Sequence, residues 1–235
     1  MNINGKKVVI FGGTSGIGKA TTNILIKKGA SKIYAVSRNP KKLRAYSKKV
    51  ELVKLDVLNE KEIMAFFKNI GKYDILINTA TGGERALGPF LKMQLEGYRN
   101  SFRKLWGYVN TVRYGIKNLN KSGSIILVSG SPARRAKEGQ IALSSVGGAV
   151  EAFSRSLAAE IKPIRINVIS PGIIDTPMSP LKGKKRKEFY KTVTKDNLIP
   201  RAGTSEEVAN AIIFAIENDF ITATTIDIDG GWINS

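Results

Sequence analysis

Val8-Val-Ile-Phe11-Gly12-Gly-Thr-Ser-Gly16-Ile-Gly18 is the stretch on which the fold turns. Val8–Phe11 is a short apolar, β-branched run that reads as a strand. Glycines follow at once, and Ile17–Lys28 continues at helical spacing. Glycine permits a tight turn and a close backbone approach, and a helix start offers unpaired N–H groups with a partial positive charge. A strand, a glycine turn and a helix in that order therefore suit a pyrophosphate. Gly12, Thr14, Ser15, Gly16, Ile17 and Gly18 are the first candidate cofactor residues.

The alternation continues outward from this unit. Lys32–Ser37, Leu52–Leu55, Asp74–Asn78, Ser124–Ser129, Arg165–Ser170 and Thr224–Ile228 read as further strands. Pro40–Lys48, Glu60–Lys68, Gly97–Leu119, Ile141–Glu160 and Ser205–Asn218 read as helices. This predicts an α/β fold, a doubly wound parallel sheet of about seven strands with helices on both faces. A chain of 235 residues is compatible with one domain over residues 1–235. Leu105, Val109, Val112, Ile116 and Leu119 share one stripe of the Gly97–Leu119 helix, which should pack on the sheet or on a partner helix. The second strand ends Val36-Ser37-Arg38-Asn39. A carboxylate there would bond a ribose 2′-hydroxyl and repel a 2′-phosphate, whereas Ser37 and Arg38 welcome the phosphate, so NADP(H) is expected in preference to NAD(H).

Composition narrows the chemistry. With no cysteine and no histidine, disulfides, thiolate catalysis and the commonest general base and metal ligand are excluded, and no metal site is expected. Acid–base work falls to Tyr, Lys, Asp, Glu, Ser or solvent. A net charge of +19 suits a polyanion partner, yet the lysines are scattered and only Lys182-Gly-Lys-Lys-Arg-Lys187 is dense. A solvated basic surface is the plainer reading, so nucleic acid is not an expected partner. No apolar run reaches the ~20 residues of a membrane span, and the N-terminus enters a strand without a signal-peptide pattern. A cytoplasmic protein with no membrane partner is expected.

Further motifs stand in a fixed order: Leu55-Asp56-Val57, Asn78-Thr-Ala80, Ser170-Pro-Gly-Ile-Ile-Asp-Thr176 and Asp229-Gly-Gly231. With Gly12-x-x-x-Gly16-x-Gly18 they resemble the short-chain dehydrogenase/reductase family over essentially the whole chain. The resemblance implies a Rossmann-like fold in which Asp56 contacts the adenine, Asn78 supports the cofactor-binding strand and Thr176 holds the nicotinamide amide. Val57, Ala80, Pro171, Gly172 and Ile174 complete the cofactor set from the same motifs. Asn78-Thr-Ala-Thr81 departs from the usual Asn-Asn-Ala-Gly.

The larger departure concerns catalysis. Active members of the family reduce a carbonyl with a tyrosine acid, a lysine one helical turn later, a serine and a helix asparagine. Ala149-Val-Glu-Ala-Phe-Ser-Arg-Ser-Leu-Ala158 resembles the helix that follows that tyrosine. Counting back puts Leu143 at the tyrosine, Gly147 at the lysine and Gly130 at the serine, while Lys104-Leu-Trp-Gly107 puts Lys104 at the asparagine. Proton transfer contributes about 10²–10⁴-fold, so the candidate substitutes are Lys104, reaching into the volume beside Gly147 and Gly148, and Ser131 or Ser129 after a one-residue shift of their loop. Tyr108 reads as packing. Arg134 and Arg135 offer a clamp for an acidic substrate, and the basic run falls in a substrate-covering segment near residues 178–201.

These residues imply an NADP(H)-binding oxidoreductase with a non-standard active site, acting on a small molecule that the basic loops allow to be anionic. The alternative is a catalytically inactive dinucleotide-binding sensor or interaction protein of the same fold. By resemblance, helices around Leu105–Leu119 and Ala149–Leu157 pair between subunits in a dimer or tetramer.

Overall fold

In the computed structural model, residues 1–40, 47–81, 83, 85–135 and 137–235 are described. The apolar runs become strands because both of their faces are covered. In β1 (Lys7–Phe11), Val8 and Ile10 enter one core while Val9 and Phe11 enter the other, the alternation that a strand imposes. Around it lie β2 (Lys32–Ser37), β3 (Val50–Lys54), β4 (Tyr73–Asn78), β5 (Leu119–Val128) and β6 (Arg165–Pro171). A two-stranded ribbon, β7 (Ile174–Asp175) with β8 (Gly203–Thr204), precedes the last strand, β9 (Thr225–Ile228).

The main sheet has seven strands in the order β3-β2-β1-β4-β5-β6-β9, and its neighbours are all parallel. The chain steps outward from β1 first to one side and then to the other. That reversal opens a crevice above the carboxyl ends of β1 and β4, where ligands of open α/β sheets bind. Helices α1 (Gly16–Lys27) and α7 (Ser205–Glu217) close one face through Leu25, Val208 and Ile212. The other face is closed by α2 (Glu60–Ile70), α4 (Arg103–Gly115) and α5 (Ile141–Ile161), through Phe67, Tyr108 and Val150. Shorter helices α3 (Leu95–Ser101) and α6 (Gly183–Val193) flank the crevice end. The expected doubly wound sheet is therefore present.

One expected element is wrong as drawn. The single helix over Gly97–Leu119 is interrupted after α3 and stops early, and Leu119 is the first residue of β5, paired with Tyr73. At the interruption the Ser101 hydroxyl donates to Gly97 O (2.9 Å) and accepts from Ala86 N (2.9 Å). Serine bonding back to the preceding turn bends helices, and here a loop amide holds the bend. At the far end, Tyr73 donates to Gly115 O at 3.0 Å, a tertiary partner that periodicity cannot reveal. The predicted stripe is correspondingly partial, with Tyr108, Thr111 and Val112 forming the buried face of α4. The helix expected over Pro40–Lys48 lies mostly outside the described residues.

Candidate functional site

The crevice is shaped by backbone before any side chain enters it. Gly12 has φ of +82° and Gly16 of +48°, a region closed to most L-residues. A Cβ on Gly18 would overlap Gly12 O, and one on Gly12 would overlap Thr79 Oγ1. The α1 start is thereby drawn against the β1 end, with its first N–H groups facing the opening. Among the described residues, a cleft of about 240 Å³ follows, lined by the first turn, the β2 end, the loop after β4 and the start of the 176–178 segment.

Most of the expected cofactor residues meet there. Gly12, Thr14, Ser15, Gly16, Ile17, Gly18, Ser37, Arg38, Val57, Ala80 and Thr176 all line the cleft. The Ser37 hydroxyl is buried without a hydrogen-bond partner, and Arg38 stands exposed at the rim with no ion pair among the described residues. Asn78 is fully buried and supports rather than lines the cleft: its amide donates to Thr111 Oγ1 (2.8 Å), and its carbonyl oxygen accepts from Ala80 N (3.2 Å).

Four further expected residues lie off the wall. Asp56 accepts from Leu58 N at 3.0 Å and borders a separate shallow depression with Asn59 and Glu60. Pro171 ends β6 beside Ile228, Gly172 N donates to Ile228 O at 3.0 Å, and Ile174 pairs with Gly203, so these three hold the segment that carries Thr176. Conversely, Phe11, Val36, Leu55, Thr79, Thr81, Pro177 and Met178 line the cleft without having been singled out. The signal for the first three was present, because apolar residues at the carboxyl ends of adjacent parallel strands must border a crevice opened there.

The adjoining face of α5 is built differently. Leu143 and Gly147 lie one turn apart on it. A Cβ on Gly147 would lie 2.8 Å from Ala133 Cβ and 3.5 Å from Gly130 O. The turn Ser131–Ala133 therefore presses directly on the helix, and no vacant volume exists beside Gly147. Gly148 faces open space with nothing within 4 Å. Lys104 fills neither place, contrary to expectation. Its ammonium turns inward, donates to Ser129 O at 2.9 Å and lies 5.7 Å from the Tyr108 ring centroid. Burial, reinforced by the Arg85 charge, pushes its pKa down to about 8.

Ser131 is fully buried with an unpartnered hydroxyl, whereas the Ser129 hydroxyl donates to buried Glu151 at 3.1 Å. Ser131 is therefore the freer of the two serines. Tyr108 packs as expected: its hydroxyl donates to Val128 O at 3.0 Å, and burial pushes its pKa far above the ordinary range. The arginine clamp is not formed. Arg134 joins Asp227 (3.0 Å) and Glu151 (3.5 Å), while Arg135 bonds Trp232 O and Ser235 Oγ and lies over the Trp232 ring. Arg134 ties the turn to β9 and α5, and Arg135 ties it to the carboxyl-terminal residues. Of the basic run, Arg186 is also committed, to Asp175 Oδ1, Thr176 O, Ser179 O and Leu181 O. Among the described residues no His/Cys/Asp/Glu group could hold a metal, and no helix is long and apolar enough to cross a membrane.

Comparison with known proteins gives a consistent family pattern. A family model for enoyl-(acyl carrier protein) reductase matches residues 12–233. The 3-oxoacyl-[acyl-carrier-protein] reductase of Rattus norvegicus is 30% identical over 238 residues, covering 96% of this chain and 97% of the rat protein. A small-chain dehydrogenase solved in complex with NADPH superposes with a TM-score of 0.83 at 28% identity, covering 99% of this chain and 100% of its own. ElxO with NADP bound superposes at 0.88 with 25% identity, covering 98% and 99%.

Proposed function

This chain belongs to the short-chain dehydrogenase/reductase family, and on that premise we propose that it is an NADP(H)-dependent oxidoreductase with a relocated proton donor. The observation that carries the reading is the cleft itself. Its glycine cradle leaves room only for backbone at Gly12 and Gly18, and the orphaned Ser37 hydroxyl beside Arg38 is a ready-made partner for a 2′-phosphate. The residues present fit NADP(H), and NADP(H)-bound relatives of the same architecture support the assignment.

The nicotinamide, when bound, supplies or accepts the hydride. The chain's part is to place that ring and to provide the proton. Thr14, Ser15 and the first turn of α1 would hold the pyrophosphate against the helix start, Ser37 and Arg38 would hold the far phosphate, and Thr176 would reach the nicotinamide end of the same cleft. Leu143 presents no acid. Lys104 is the proposed proton source: its ammonium, held 2.9 Å from Ser129 O, must turn from that carbonyl toward the crevice to act, and a pKa of about 8 leaves it charged at neutral pH yet able to give up a proton. The Ser131 hydroxyl, proposed to orient the substrate, is fully buried and lies outside the cleft lining, so that role requires the Ser131–Ala133 turn to open.

Titration of the purified protein with NADPH and NADH, followed by NADPH oxidation over a panel of neutral and anionic carbonyl compounds, tests this reading. NADPH should bind about 10- to 100-fold more tightly than NADH, the value of a charge-assisted pair. Binding of neither dinucleotide would overturn it, and binding without turnover over the whole panel would leave a dinucleotide-binding sensor. Association of subunits through α4 and α5 is part of the same proposal, supported by Trp106 on α4, 61% exposed. Light scattering should then give a dimer or tetramer.

A further inference from the structure

The segment that covers the crevice carries a surface its cofactor role does not use. Helix α6 turns Arg186 and Tyr190 inward, and the buried Thr194 and Asn197 continue that face. Its outward side exposes Lys182, Lys184, Lys185, Lys187, Lys191 and Lys195. The only acids along this stretch are Glu188, 3.7 Å from Lys184, and Asp196. Four large apolar side chains are exposed along the same segment, Phe189 (43%) on α6 itself, Met178 (53%) before it, and Leu198 (67%) and Ile199 (52%) after it beside Gly230 and Gly231. The patch is held in place, because Arg186 ties α6 to residues 175–181 and Ile199 N donates to Gly230 O at 2.8 Å.

A merely solvated face has no reason to combine dense lysine with exposed Phe, Leu, Ile and Met, and a polyanion gains nothing from the apolar members. Anionic headgroups over a hydrocarbon layer satisfy both at once. We propose that residues 178–201 form a docking surface for an anionic lipid bilayer, on which the protein seats peripherally. Met178 belongs both to this surface and to the cleft wall, so docking turns the mouth of the crevice toward the lipid. Cofactor binding is not required for this, and the two ideas fail separately.

Cosedimentation of the full chain with phosphatidylcholine vesicles, with and without phosphatidylglycerol, tests the proposal. Binding to the mixed vesicles should be at least about tenfold tighter than to the neutral ones and should weaken with added salt. A Lys184→Glu/Lys185→Glu/Lys187→Glu protein should lose that preference. A Lys72→Glu/Lys117→Glu/Lys121→Glu protein, with the same change of charge placed at the amino-terminal edge of β4 and β5, should keep it. A Phe189→Ser/Leu198→Ser protein should bind mixed vesicles about tenfold more weakly while its affinity for a DNA duplex stays unchanged. Equal losses in the two lysine variants would reduce the effect to the overall charge of the chain and overturn the proposal. So would wild-type vesicle binding by the Phe189/Leu198 variant together with tighter binding of duplex DNA, which would make the surface a polyanion site.

Discussion

The two walls of the crevice are made of different materials. The wall over β1, β2 and β4 is mostly backbone: Gly12 and Gly18 admit no Cβ, Asn78 clamps the neighbouring loop, and the buried Ser37 hydroxyl is left unpartnered beside Arg38. The wall over β5 and α5 is side-chain packing, with Ala133 against Gly147, Arg134 spent on Asp227 and Glu151, and Arg135 on the carboxyl-terminal residues. A dinucleotide is recognised chiefly through peptide N–H groups and shape, which survive wide sequence change. Chemistry depends on a few particular side chains, and a fold can keep its shape when those change. If the cleft binds a dinucleotide as proposed, binding and catalysis can be tested separately.

The sharpest way to break the contrast is Gly18→Val. Its side chain would run into Gly12 O, so NADPH affinity should fall by about 100-fold or more as several phosphate hydrogen bonds are lost together. Fluorescence titration beside a thermal melt reads this out, and near-normal affinity would mean that the cradle is not the binding element. Next in size is Lys104→Met, expected to slow NADPH oxidation by about 100-fold. In the wild type, oxidation should be full below the lysine's pKa of about 8 and decline as pH rises through it. The variant should lack that limb, and an unchanged profile would remove Lys104 from the chemistry.

The same lysine makes a stability prediction of opposite sense. Its folded pKa lies below the ordinary 10.5, so between about 8 and 10.5 the unfolded chain holds a proton that the folded protein has released. This group therefore makes stability rise with pH across that window, and Lys104→Met should flatten the rise in denaturant midpoints.

Arg38→Glu should weaken NADPH by about 10- to 100-fold and leave NADH equal or better, because a carboxylate bonds the 2′-hydroxyl and repels the phosphate. Equal losses for both dinucleotides would show that Arg38 does not read the phosphate. The smallest effect is the most discriminating for the second wall. Glycine to alanine inside a helix ordinarily stabilises by up to about 1 kcal/mol, but Gly147→Ala must push back Ala133 and should destabilise by about 1 kcal/mol or more. A gain in melting temperature would mean that the turn is not pressed against α5.

The sequence by itself determined the seven-stranded sheet, the location of the crevice and eight of the residues that line it, because these rest on short-range patterns: apolar runs, helical spacing, glycines at a strand–helix junction and the charge at a strand end; Val57, Ala80 and Thr176 came from motifs that resemble the family. Only the tertiary structure decided that the helix before β5 bends at Ser101, where a distant amide from Ala86 engages its hydroxyl. It likewise decided that the space beside Gly147 is filled, that Lys104 points inward to Ser129 O, and that Arg134 pairs with Asp227 and Glu151 while Arg135 bonds the carboxyl-terminal residues. Each of these outcomes is a contact between residues far apart along the chain. A side chain's partner, and with it its burial and its pKa, is set by which elements pack together and not by its sequence neighbours.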